Sequence, residues 1–368
     1  MSDTVDSFRD EVSDAELIVT CGPGGVGKTT TAAALGVAAA RAGRRVVVVT
    51  VDPARRLADA LGLEAGAAAD APHRVTGISG AGDGELWALM LDAASTFDRL
   101  VREQTSSPKQ ADAILENPVY RAISGSLAGA QEYMAIERLH QLRASGEWDL
   151  VIVDTPPSRH AIDLLEAPDR LIGFLGHPVY RALTVGQRAF AKVTNAAASM
   201  FLWAVRRLAG PQIVEDTVEF FRSLANIEPG LRTRAKEVSE LLRSDVAAFV
   251  VVSSPRAEAI GEAEHLIGAL RDGSFPFAGV VVNLIHPMPE QLSAADRAAL
   301  DGLDDGPLAE QLAWHDELTE LATAERDEIA GLADLAEDVV VVELPLLAVD
   351  VHDVEGLVGL ADRLVGGN

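Results

Sequence analysis

The sequence predicts an α/β protein: a doubly wound, mostly parallel sheet with an inserted α-helical subdomain. Three observations carry that expectation. Short β-branched runs recur between long Ala/Leu-rich stretches from one end of the chain to the other. The runs are nearly continuous in hydrophobicity, as in Val46 to Val49, Val250 to Val252 and Val280 to Val282. Strands of that kind are covered on both faces, which is the condition of a parallel sheet. Finally, the stretch between residues 155 and 246 is helical in character and too long for one crossover.

Taken in order, strands are expected at Leu17–Cys21, Arg45–Val51, Leu86–Leu91, Leu150–Asp154, Ala247–Ser253, Gly279–Asn283 and Val339–Leu344. Residues 1–15 read as an acidic N-terminal tail carrying Asp3, Asp6, Asp10, Glu11 and Asp14, with no apolar core and hence no signal peptide. Residues 16–368 read as one domain, with helical subdomain segments at about 93–127 and 166–245. No Pro/Gly/Ser linker and no internal repeat divides it. The region Ala294–Asp338 is rich in acids, with only Arg297 and Arg326 as bases. Trp314, Leu318 and Leu321 recur there at i, i+4, i+7, which predicts an amphipathic helix with an acidic outer face.

Composition limits the function. Among 368 residues, 31 Lys and Arg stand against 56 Asp and Glu, a net charge of −25. Such a balance argues against sequence-independent binding to nucleic acid, which needs a broad cationic face. The single cysteine, Cys21, allows no intrachain disulfide and no cysteine-cluster metal site. The longest nearly uncharged apolar stretch, Val193 to Val205, is shorter than the about 20 residues a bilayer span requires. The expectation is a cytoplasmic protein, with room for peripheral membrane contact.

Gly22-Pro23-Gly24-Gly25-Val26-Gly27-Lys28-Thr29 matches G-x-x-x-x-G-K-[ST], directly after an apolar strand and before an Ala-rich helix. That context is what a phosphate loop needs. Gly22, Gly24, Gly25 and Gly27, with Val26 between them, let successive backbone N–H groups turn towards phosphate oxygens. The helix N-terminus adds its positive end. Lys28 reaches the β- and γ-phosphates in this reading, Thr29 ligates Mg²⁺ and Thr30 caps an α-phosphate oxygen. Asp154, ending the strand Leu150–Val153, stands where a carboxylate holds the Mg²⁺ water shell. Asp52 also leaves a strand at the carboxyl edge of the sheet. There it either orients the attacking water or caps a helix that starts at Pro53.

Further motifs resemble one family, that of the arsenical pump-driving ATPases and the guided-entry ATPases for tail-anchored proteins. Asp52-Pro53-Ala54-Arg55-Arg56-Leu57-Ala58-Asp59-Ala60 is similar to its first switch, D-P-A-H-x-L-x-D-A. Asp154-Thr155-Pro156-Pro157-Ser158-Arg159-His160 is similar to its second, D-T-A-P-T-G-H. Val281-Val282-Asn283 resembles the V-N-Q strand end whose Asn reads adenine, and Leu344-Pro345-Leu346-Leu347 resembles the late adenine-flanking loop. Glu262-Ala263-Glu264-His265-Leu266 resembles the E-T-E-R-L helix. The resemblance implies ATP and Mg²⁺ as ligands. It makes Asp52 the residue that places the hydrolytic water. Pro53, Arg55, Thr155, Pro156 and His160 join Asp52 and Asp154 as switch residues, and Asn283, Pro345 and Leu346 contact the base. It also implies a dimer closing across ATP.

Departures from the family pattern are informative. The family's signature lysine follows the first loop glycine and serves the partner's nucleotide; here that position is Pro23, which has neither charge nor N–H. A heterodimer with a lysine-bearing homologue is the preferred reading over a homodimer. A cation from Arg55 or Arg56 and a chain that binds ATP without turnover are the alternatives. Cys21 alone makes neither the family's arsenite site nor its C-x-x-C zinc bridge, so no arsenite and no zinc are expected.

From Arg170 to Pro211 there is no Asp or Glu. Arg181, Arg188 and Arg206 are interleaved there with Met200, Phe201 and Trp203. Such a surface suits a hydrophobic client, an anionic membrane face or an acidic partner. The scarcity of methionine, five in all, weakens a tail-anchor client, whose grooves are Met-rich in this family. An ordinary helical lid is the alternative.

Overall fold

The computed structural model describes residues 2–51, 57, 60–61, 70–78, 82–105, 107–118, 130–177, 219–220, 223, 225, 227–300, 306–334 and 340–366. Eight strands form one sheet in the order β3-β4-β2-β5-β1-β6-β7-β8. They are β1 Leu17–Cys21, β2 Arg45–Thr50, β3 His73–Arg74, β4 Glu85–Met90, β5 Leu150–Asp154, β6 Ala247–Ser253, β7 Phe277–Ile285 and β8 Val341–Pro345. Every pairing is parallel except β3 with β4. The seven expected strands are all present, with ends moved by a residue or two. The two-residue β3 is additional, because an antiparallel edge pair that short leaves no hydrophobic signature.

The continuous valine runs arise because each strand feeds two cores. Val46, Val48, Ile18, Ile152 and Val250 point to one face, where Ala32, Ala33 and Ala34 of α2 (Lys28–Arg41) pack with Leu357 and Leu360 of α11 (Val354–Val365). The alternating residues Val47, Val49, Val19, Val151 and Val251 point to the other. There they meet α5 (Ala130–Ala144), α6 (Ser158–Gly176), α7 (Glu228–Leu242) and α8 (Ala257–Asp272). Helix α2 is rich in Ala because it lies close on the sheet. Even at its Gly36, an added Cβ would stand 2.7 Å from Val48 Cγ2 and 2.9 Å from Leu86 Cδ1.

A third core lies away from the sheet. Leu100 and Val101 of α3 (Ala93–Gln104) and Ile114 of α4 (Pro108–Leu115) pack with Tyr133, Met134, Leu175, Leu231 and Ala235. Its polar centre is the fully buried Glu137, ion-paired to Arg234 of α7 and accepting from Gln141 Nε2 at 3.1 Å. This cluster is the described part of the helical layer.

Two expectations are corrected. The N-terminal stretch is not a tail: it forms α1 (Ser2–Ser13), because Phe8 and Val12 are buried against the sheet core. Arg9 ties α1 to the end of α11 through the Gly366 carbonyl at 2.7 Å. The acidic region forms two helices, α9 (Ala294–Leu300) and α10 (Pro307–Asp334). In α10 the stripe Trp314, Leu318, Leu321 is not the buried face. Trp314 is 73% exposed, and burial begins only at Ala322, followed by Glu325, Ile329 and Leu332. At that end the described contacts of α10 are polar, with Arg297 of α9 pairing with Asp316 at 2.6 Å, and Trp314 and Leu321 stay exposed. Among the described residues, no helix is long and apolar enough to cross a membrane.

Candidate active site

Strand order reverses beside β1, and open α/β sheets bind ligands at the carboxyl edge of that position. Here β1 leads into the loop Gly22–Gly27 and then α2. Gly22 leaves the strand at φ +152, and a Cβ there would collide with the Val252 carbonyl oxygen. Gly27 caps α2 in the left-handed region at φ +92. No side chain caps that helix start and no acid stands in its first turn. Among the described residues its first N–H groups are thus left uncapped by any side chain.

The loop borders a cavity of about 350 Å³, lined by Gly24, Gly25, Gly27, Lys28, Thr29, Thr30, Thr155 and Pro157. Lys28 is buried, and its Nζ donates to the Pro23 carbonyl at 2.6 Å. Asp154, also buried, accepts from Thr29 Oγ1 at 2.7 Å and from Thr50 Oγ1 at 3.0 Å. Thr155 continues that edge, its hydroxyl donating to the Thr20 carbonyl at 2.8 Å. Adjacent strand ends of β1, β2 and β5 thus bring a hydroxyl and a carboxylate, both hard oxygen donors, to the loop.

On the loop's far side, buried Asn283 donates from Nδ2 to the Val26 carbonyl at 3.0 Å. The end of β8 is tied in beside it: Pro345 is in register with Ile285, and Leu346 N–H donates to the Ile285 carbonyl at 2.7 Å. Pro345 and Leu346 therefore lie next to the strand that carries Asn283, while Val351 and His352 farther along join the lining of the loop cavity. These two residues were missed in the sequence. The only available signal was the N-cap Asp353, which accepts from Gly356 N–H at 2.8 Å and marks the turn before α11.

Asp52, Pro53 and Arg55 lie outside the described residues, as do the effector residues Arg181, Arg188, Met200, Phe201, Trp203 and Arg206. Ala60 lines the loop cavity, and Leu57 is fully buried. Pro156 is half-buried at the turn into α6; the backbone of His160 lies in that helix's first turn, and its side chain is outside the description. A second cavity, about 220 Å³, opens on the Pro23 side of the loop and is lined by Ser254, Arg256, Glu258 and Leu284. Arg256 there is another residue that sequence reasoning passed over. Cys21 is fully buried beneath the loop, and burial pushes its thiol up to about 12, against the opposing charge of Lys28. It stays protonated at neutral pH.

A family model described as Anion-transporting ATPase matches residues 15–299. Similar proteins include an ATPase get3 of Aspergillus terreus, 24% identical over 352 residues, covering 94% of this chain and 88% of that one. An ATPase GET3 of Malassezia globosa is 26% identical over 347 residues, with 94% and 89% covered. An ATPase GET3C of Arabidopsis thaliana is 27% identical over 286 residues, with 73% and 66% covered. With its phosphate loop, its strand-end carboxylate and a match over most of its length, the chain belongs to the anion-transporting ATPase family and is an ATP hydrolase of the P-loop kind.

Proposed function

We propose that the chain is a Mg²⁺-dependent ATPase that acts as a dimer. Nucleotide-driven closure then moves a helical surface that handles a hydrophobic or membrane-associated client. The observation that carries the reading is the Thr29–Asp154 contact at 2.7 Å beside an uncapped helix start. A hydroxyl and a carboxylate suit Mg²⁺, which takes few protein ligands and keeps several waters. When bound, the ion neutralises charge on the β- and γ-phosphate oxygens.

The remaining work falls to the chain. Loop amides and the α2 N-terminus orient the polyphosphate. Lys28 exchanges the Pro23 carbonyl for phosphate oxygens and stabilises negative charge gathering on them as the terminal phosphoryl group leaves. Thr29 and Asp154 hold the metal's position. Asp52 places the attacking water, a role that rests on the family resemblance. Asn283, Pro345 and Leu346 contact the adenine on the same ground. The bases and aromatics between Arg170 and Pro211, with Arg181, Arg188 and Trp203 among them, form the client-facing surface, at the cytoplasmic side of a membrane.

A second reading is favoured by Pro23, which cannot lend a cation across a dimer. In it, the chain is an ATP-binding subunit paired with a lysine-bearing homologue and is inactive alone. Phosphate release with ATP and Mg²⁺ tests both readings. Lys28→Ala abolishes turnover, and Asp52→Asn keeps ATP binding while losing hydrolysis. Strong activity of the purified chain alone excludes the second reading, whereas activity only on mixing with the homologue supports it. Hydrolysis retained by Asp52→Asn removes Asp52 from the mechanism.

A further inference from the structure

The strand that carries Asn283 is clamped from outside the nucleotide site. Immediately after Asn283, Leu284 adopts φ +67, a left-handed conformation that non-glycine residues keep only where their surroundings over-determine it. The β7–β8 register shifts at the same point, between Val282 and Ile285. One residue further on, a single buried carboxylate from α10 grips the chain twice. Glu325 Oε2 accepts the His286 N–H at 2.8 Å, and Glu325 Oε1 stands 2.7 Å from His286 Nδ1. The next residue, Arg326, donates to the Ala322 carbonyl one turn back at 2.7 Å. Glu325 lies one turn into the buried half of α10, after Ala322, so the clamp joins that packed half to the end of β7.

We propose that Glu325 is a positioning residue for the nucleotide site: through His286 it holds Leu284 in its strained conformation and thereby keeps Asn283 on the Val26 carbonyl. The inference rests on the loop being the ATP site. Its physical basis is the short path. Two residues, Leu284 and Ile285, separate the carboxylate's grip at His286 from the Asn283 amide on the loop, and the strained residue is one of them. Without the carboxylate, Leu284 relaxes towards an extended conformation, the strand end rotates and Val26 loses its donor. Asn283 acts on the loop in ground state and transition state alike, so the loss falls on binding and not on the chemical step.

The test is steady-state ATPase kinetics on the full chain, paired with its lysine-bearing homologue if turnover requires one, and thermal melts of each variant. Glu325→Ala raises KM for ATP about tenfold, equivalent to about 1.4 kcal/mol, with kcat within about twofold. Glu325→Gln, whose amide carbonyl still accepts the His286 N–H, recovers most of the loss, to about threefold. His286→Ala, which removes only the ring contact, also gives about threefold. Glu328→Ala, an exposed acid on the same helix, leaves KM unchanged. A folded Glu325→Ala with wild-type KM, or a Glu328→Ala that matches it, overturns the inference. Should Glu325→Ala fail to fold, unshifted KM in both Glu325→Gln and His286→Ala overturns it equally. A wild-type chain that neither binds nor hydrolyses ATP overturns the functional reading beneath it; a working wild type with unshifted variants overturns this inference alone.

Discussion

Gly27→Ala separates two demands that the loop places on one residue. The first is conformational, since Gly27 sits at φ +92 and ψ +24, where an L-residue costs roughly 1–2 kcal/mol. The second is steric: a Cβ at Gly27 would collide with the Asn283 amide nitrogen. Asn283 must then rotate away and give up its 3.0 Å bond to the buried Val26 carbonyl. Leaving that acceptor unmet costs about 1–2 kcal/mol, so the substitution loses roughly 2–4 kcal/mol in all. Urea unfolding followed by circular dichroism measures the total, and titration with a fluorescent ATP analogue measures the loss at the site, expected at tenfold or more. The decisive comparison is a double-mutant cycle. Asn283→Ala removes the obstacle as well as the bond, so the double variant is less damaged than the sum of the singles by about 1–2 kcal/mol. If the two losses add to within about 0.5 kcal/mol, Gly27 and Asn283 do not meet and the loop geometry argued above is wrong.

Two further outcomes follow from buried groups. Cys21, with its thiol pushed up to about 12 by burial, should resist alkylation at pH 8 in the folded protein and react at once in urea. The folded chain retains this proton where the unfolded chain loses it, so stability declines as pH rises above about 9, by about 1.4 kcal/mol per unit. A native thiol labelled at the rate of a free cysteine refutes the burial. In the helical layer, Arg234→Ala leaves the buried Glu137 carboxylate with Gln141 and Tyr133 as its donors among the described residues. A loss of about 2–4 kcal/mol in urea unfolding is expected, and Glu137→Gln, which removes the charge as well, costs less; equal losses would mean that the charge is immaterial.

The strands and the loop were legible because each depends on a local pattern. Val46–Val49 must be apolar on both sides when helices cover both faces, and Gly22–Thr29 must carry glycine where the backbone turns left-handed or meets Val252. Asp154 was legible as the carboxylate that ends an apolar strand. What escaped depends on contacts between distant segments. Val351 and His352 are unremarkable in sequence and become a cavity wall only because β8 ends beside β7. Glu325 reads as one acid among many in an acidic helix, and only its pairing with His286, 39 residues earlier, sets it apart. The stripe Trp314–Leu321 misled because periodicity reports a helix's own asymmetry and not whether anything lies against it.

The Lys28–Pro23 contact bears on how the loop meets its ligand. The ammonium already points back across the loop to the Pro23 carbonyl at 2.6 Å, and the loop is held from outside by Asn283 and from below by the ends of β1 and β6. In the proposed mechanism phosphate binding exchanges one oxygen for others around a buried cation and need not draw a lysine in from solvent. Proline reinforces this by fixing φ near −65° at the turn. The same residue removes an N–H that another side chain would have left for phosphate, and it removes any cation from that position. The loop is thus held ready to grip a nucleotide, while position 23 supplies no charge of its own. In the second reading proposed above a lysine-bearing homologue supplies that charge, and binding and turnover then make separable demands on this chain.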